Sequence, residues 1–210
     1  MKTPYASRTR RLQLASILAL TSLVATAAVP TPATRVGDYR TAQSGAFTTA
    51  STWEVFVAGP SATAADGHFT PAADFPTNTA GTITIRATHA VTLDVAAILD
   101  EVIIEQGATF EHSGTANLTL SNSAAPYELI VQGIYRELSV TGRLAPLLGA
   151  QIIVDETGIW QHSANGGSLP TAEWSSSSLL LFDGITDALS LSSTAKLGQV
   201  FGRITWNCLT

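Results

Sequence analysis

The chain has 210 residues, a formal charge of −5 and one cysteine, Cys208, a length suited to one domain or a main domain with one small module. Charged residues make up 13%, about half the share usual in soluble domains, and Lys2, Arg8, Arg10 and Arg11 place four of the 11 basic residues before residue 12. Without that segment 7 basic residues face 16 acidic ones, a net of −9, which argues against nucleic acid as a partner, while a lone cysteine excludes a disulfide scaffold.

Residues 1–27 read as a secretory signal peptide. A basic start is followed by a mostly apolar run from Leu12 to Leu23, and Ala25 and Ala27 supply the small-x-small pattern of a cleavage site. The run is short for a bilayer span and is interrupted by Gln13, Ser16, Thr21 and Ser22. Arg10-Arg11 hints at a twin-arginine signal, but Gln13 stands where a large apolar residue belongs, so the pair reads as ordinary leader charge. No later segment is long and apolar enough to span a membrane, so the mature chain is expected to be soluble or attached by some other means; the leader implies a secreted, extracellular protein, on the outer cell surface.

A Pro/Thr linker follows over 28–36. Residues 37–80 are expected to form a small loop-rich N-terminal module, with one strand at 52–57 and a Gly/Pro-rich stretch at 59–76. From residue 81 to 210 short β-branched and apolar runs recur, at 82–85, 90–93, 101–105, 116–120, 128–132, 151–154 and 179–182. Each has normal strand length. Helical periodicity is nearly absent; residues 96–100 are the one expected helical turn.

The runs repeat. A strand, a polar pair, a glycine and a second strand recur around Gly107, Gly133 and Gly158, which lie 26 and 25 residues apart. Glycine at such a corner supplies a backbone angle other residues resist. A period in the twenties built of strands alone predicts a β-solenoid of about five coils. A β-sandwich is the alternative, but it would show hairpin turns such as Asn-Gly between alternating strands, and Asn165-Gly166 is the only Asn-Gly. The repeat alignment sets Gln106 near Gln132, an amide ladder, and Thr109 near Tyr135 and Trp160. The last run, 200–208, reads as an uncapped strand, so the solenoid is expected to be truncated there and to belong to a longer protein.

Residues 37–40 (Gly-Asp-Tyr-Arg), 51–54 (Ser-Thr-Trp-Glu), 83–92, 158–162 (Gly-Ile-Trp-Gln-His), 166–174 and 198–208 together resemble the N-terminal region of large secreted bacterial surface proteins of the type IX secretion, sorting-tail kind. The resemblance covers nearly all of 37–208. It implies a right-handed parallel β-helix serving as a structural or adhesive surface module, with His89 and His162 structural. Leu180 stands where such proteins often carry a cysteine, so the pairing the resemblance implies for Cys208 lacks its partner.

Chemistry is sparse. Glycan hydrolysis needs two carboxylates facing each other about 5–10 Å apart. The candidates are Asp100, Glu101, Glu105, Glu111, Asp155 and Glu156, with Glu105 and Glu156 at similar places in their repeats; solvated corner residues are the favoured reading. His68, His89, His112 and His162 show no close metal-ligand spacing. A shared zinc site at His112 and His162 would need further ligands, so no cofactor and no metal are expected. No nucleophilic serine motif is present, and Asn117 with Thr119 forms a glycosylation sequon. Tyr135 and Trp160 follow corners at matching positions. Pointing outward they would make a platform for stacking sugar rings; pointing inward, the favoured reading, they are core. The expected function is a cell-surface structural or adhesive module with no enzymatic activity, its partners surface polysaccharide or other surface proteins. Glycan binding is the second reading and polysaccharide degradation the third.

Overall fold

The computed structural model describes residues 34–61, 64–138, 144–186 and 198–208. The expected leader, the first part of the linker, and residues 209–210 lie outside them. The described chain is all-β, apart from single helical turns at Ala50–Thr52 and Ala64–Asp66. Its parallel strands stack coil on coil in three sheets, which makes it a β-solenoid. The sandwich alternative fails on this point, because successive strands run parallel through neighbouring coils instead of returning as hairpins.

The N-terminal part holds β1 (Tyr39–Thr41), β2 (Gly45–Ala46), β3 (Trp53–Val57) and β4 (His68–Pro71). Three three-sided coils follow. They comprise β5 (Ile83–Ile85), β6 (Ala90–Leu93) and β7 (Ala97–Leu99); β8 (Val102–Ile104), β9 (Thr109–His112) and β10 (Leu118–Leu120); and β11 (Leu129–Val131), β12 (Ile134–Glu137) and β13 (Leu144–Pro146). Then come β14 (Ile152–Val154) with β15 (Ile159–His162), β16 (Glu173–Trp174) with β17 (Leu179–Asp183), and β18 (Arg203–Asn207). The first sheet has the order β16-β14-β11-β8-β5-β1-β3-β4, the second β18-β17-β15-β12-β9-β6-β2, and the third β13-β10-β7. The helical turn expected at 96–100 is strand β7. Ala97-Ile98-Leu99 pairs residue for residue with Leu118-Thr119-Leu120 of β10, and that tertiary pairing overrides a weak local preference.

Residues 37–80 are built into the same sheets. β1 pairs parallel with β5 and antiparallel with β3, and β2 pairs with β6. Phe47 and Trp53 are buried at this end. Their rings meet edge to face at 5.4 Å, and Trp53 Nε1 donates to the Phe47 carbonyl at 2.8 Å. Phe47 also lies against Phe75 and Phe110, so these aromatics close the first coil and share the solenoid's core.

The second sheet sends two ladders of side chains inward. One runs Val91, Phe110, Tyr135, Trp160, Leu180, Ile204; the other runs Leu93, His112, Glu137, His162, Phe182, Trp206. Alternation places every second residue of a strand on the interior, and the first five members of each ladder are buried. The register differs from the repeat alignment. From β8 to β11 the step is 27 residues (Ile103 to Ile130), but from β9 to β12 it is 25 (Thr109 to Ile134), because the intervening corner is two residues shorter. Phe110, not Thr109, therefore stacks on Tyr135.

The same shift redefines the glycine corners. The residues just before β9, β12, β15, β17 and β18 are Ala108, Gly133, Gly158, Ser178 and Gly202, one column of small residues. Gly107 lies one position outside it and has the left-handed φ of +83°. Gly133 and Gly158 serve a different purpose: a Cβ on Gly133 would lie 2.3 Å from the Glu105 carbonyl oxygen, and one on Gly158 2.0 Å from that of Val131.

Candidate functional site

Tyr135 and Trp160 offer no outward platform. Both are fully buried in the inward ladder, with their rings stacked at 4.2 Å, because their register places them on the core side of β12 and β15. The Tyr135 hydroxyl meets His112 Nδ1 at 2.9 Å, and His112 Nε2 meets the Ala116 carbonyl at 2.6 Å. A carbonyl only accepts, so Nε2 carries the hydrogen and Nδ1 accepts from the phenol. Burial, aided by the charge of Glu137, holds the Tyr135 phenol well above its ordinary range, which keeps it a donor. The Trp160 indole N–H has no hydrogen-bond partner among the described residues.

The other nominated groups are taken up in stitching the chain together. His162 Nε2 donates to the Gly166 carbonyl at 2.7 Å, and Nδ1 lies 2.9 Å from Glu137 Oε2, both side chains being buried. His112 and His162 thus tie down the turn four residues on in two alternate coils, and both nitrogens of each are occupied. His89 Nδ1 meets Thr41 Oγ1 at 2.8 Å, and His68 is an exposed residue of β4. No cluster of three metal-ligating side chains occurs among the described residues.

The acids behave alike. Glu101, at φ +46°, accepts from Arg35 and Thr82; Glu105 caps the Ala87 amide at 2.8 Å; Glu111 pairs with Arg136 at 3.3 Å. The Asp100 carboxyl is pushed up by burial, against the opposing effect of bonds from Ser123 and the Glu101 amide. Glu105 and Glu156 do not share a column. Glu105, Gln132 and Asp155 follow the paired ends of β8, β11 and β14, so Gln132 lies between the two acids and donates to Asp155 at 3.2 Å. This also replaces the expected Gln106–Gln132 ladder.

The outer face of the first sheet carries the concave surface that the sequence did not nominate. Its outward column reads Arg40, Thr84, Ile103, Ile130, Ile153, Glu173. The three isoleucines form a small apolar cluster of their own with Tyr127 against it. Tyr127 reaches over the sheet, and its hydroxyl donates to Glu173 at 2.8 Å; that bond, then burial, pushes the phenol up. Two hollows flank Ile103. One, of about 160 Å³, is apolar and is walled by Pro126, Tyr127 and Ile130. The other, of about 200 Å³, is polar and is lined by Arg40, Phe69, Thr84, Arg86 and Glu105. Thr82 and Ile103 border both, so the two form one groove along the stacking direction.

A sequence signal for this face existed. Val102-Ile-Ile104, Leu129-Ile-Val131 and Ile152-Ile-Val154 are unbroken apolar triplets, and a strand without alternation has apolar side chains on both faces.

Among the described residues no helix is long and apolar enough to cross a membrane. Compared with family models, curated proteins and solved structures, the chain matches none.

Proposed function

We propose that the protein is exported and serves as a structural and adhesive β-solenoid module of a longer cell-surface protein. The observation that carries this reading is the contrast between the two ends of the stack. The first coil is closed by Phe47, Trp53 and Phe75. At the other end β18 pairs, among the described residues, with β17 alone, and every residue of β18 is exposed, including Ile204 and Trp206, which continue the two inward ladders. Such an edge has the backbone donors and the apolar side chains that a further coil needs. The basic, apolar and small-residue order of 1–27 supports export. Glu111, Asp155 and Glu105, engaged in bonds between coils, support a structural reading over a catalytic one.

Surface labelling tests it. Antibodies raised against the chain should stain intact cells that express it, and mass spectrometry of that material should begin after residue 27 and find peptides of further repeats beyond Thr210. Unstained intact cells with the protein in the lysate, its first 27 residues retained, overturn the proposal.

A further inference from the structure

We infer that the groove on the outer face of the first sheet is a binding site for a carboxylated saccharide. The first observation is Arg86. Arg35, Arg40, Arg136 and Arg203 each spend the guanidinium on a carboxylate, a side-chain amide or a carbonyl within the chain. Arg40 also lies 3.7 Å over the Phe69 ring. The exposed Arg86 guanidinium has no partner among the described residues, and it lines the polar hollow together with Asp38 and Glu105, whose carboxylates are engaged by the backbone amides of Arg35 and Thr82 and of Ala87. In a chain with this excess of acid an uncommitted guanidinium is the natural seat of a ligand carboxylate, which it grips through two parallel N–H bonds.

The second observation is the floor. Ile103 and Ile130 present an apolar surface beside the Tyr127 ring, while Thr82 and Thr84 bring hydroxyl groups to its border. A sugar ring has the matching division, with C–H bonds on its face and hydroxyls on its rim, and tyrosine gives such a ring both packing area and a polar tip. Strands Ile83–Ile85, Val102–Ile104 and Leu129–Val131 are stacked at roughly 4.8 Å each, and a ligand chain lying along the stack passes from one hollow to the other over Thr82 and Ile103, which border both.

The same geometry disfavours an extended peptide. The central strands of this sheet already pair on both sides, which leaves no ladder for a peptide backbone to join. Recognition must come from side chains, which suits a ligand without amides.

Calorimetry on the full chain tests the site, with alginate oligosaccharides as the acidic probe, malto-oligosaccharides as the neutral one and an acidic peptide as the third. The alginate oligomers should bind. Arg86→Gln should weaken them at least tenfold with an unchanged melting temperature, since that guanidinium holds nothing in the fold. Tyr127→Ala should weaken both sugars' contact with the floor and so also reduce alginate binding, whereas Arg203→Gln, on the last strand of the second sheet, should leave it unaltered. The inference is overturned if alginate does not bind, if Arg86→Gln binds it as wild type does, or if the neutral sugar or the peptide binds as tightly.

Discussion

At Gly133 and Gly158 the corner before the second sheet leaves no room for one methyl group. Ala108, Gly133, Gly158, Ser178 and Gly202 stack there, and their carbonyls accept from the next coil: Ile134 N to Ala108 at 2.9 Å, Ile159 N to Gly133 at 2.8 Å, Leu179 N to Gly158 at 2.9 Å. A Cβ on Gly158 would displace the Val131 carbonyl of the coil beneath, which accepts from Asp155 N at 2.9 Å. Gly158→Ala is therefore expected to lower stability by about 1–3 kcal/mol, the usual range for forced overpacking. Gly198→Ala, where the added carbon meets nothing within 4 Å, should stay within about 0.5 kcal/mol. Urea midpoints of the two variants check this; equal midpoints would show that the corner yields.

At the scale of elements, the second sheet carries one inward ladder that is apolar or aromatic throughout and one interrupted by His112, Glu137 and His162 in successive coils. The interruption is tolerated because both nitrogens of His112 and of His162, and one carboxylate oxygen of Glu137, have partners. His162 has a partner on each nitrogen, the Gly166 carbonyl and the Glu137 carboxylate. Removing one partner strands the other in the core. His162→Phe should cost about 3–5 kcal/mol, whereas Glu137→Leu with His162→Phe should recover part of that loss, since apolar replacements of buried pairs are often neutral. Recovery stays partial because Gly166 still loses its donor. Denaturation of both single variants and the double variant measures the coupling, and simple additivity would show that the two side chains do not act as a pair.

At the scale of the whole molecule, the described stack is asymmetric, closed by aromatics at one end and bearing an exposed strand at the other. The same residue type illustrates the difference. Trp160 is fully buried between Tyr135 and Leu180, whereas Trp206 is 53% exposed and, among the described residues, has Phe182 beneath it and no further strand above. Trp160→Ala is expected to cost about 3–5 kcal/mol. Trp206→Ala should cost about 1 kcal/mol, the scale of one aromatic pair. Thermal and urea unfolding of the two variants decide it; a Trp206→Ala loss matching that of Trp160→Ala would mean that the last strand is as deeply packed as the middle coils.

The all-β class, the coil period and most strands of the first sheet are legible in the linear chain, because β-branched runs such as those ending in Ile104, Val131 and Val154, with turn residues after them, are local features. The inward facing of Tyr135 and Trp160, the Phe110–Tyr135 stack, the Glu105–Gln132–Asp155 column and the groove at Arg86 and Tyr127 belong to the tertiary structure. They depend on how coils of unequal corner length come into register, and a slip of one residue turns every side chain of a strand to the opposite face. The repeat spacing of the glycines, 26 and 25, brings Gly107 opposite Gly133, whereas stacking brings Ala108 there. Local composition determined that this chain makes strands and corners; only the stacking of one coil on the next decided which side chains became core and which were left facing the solvent as a site.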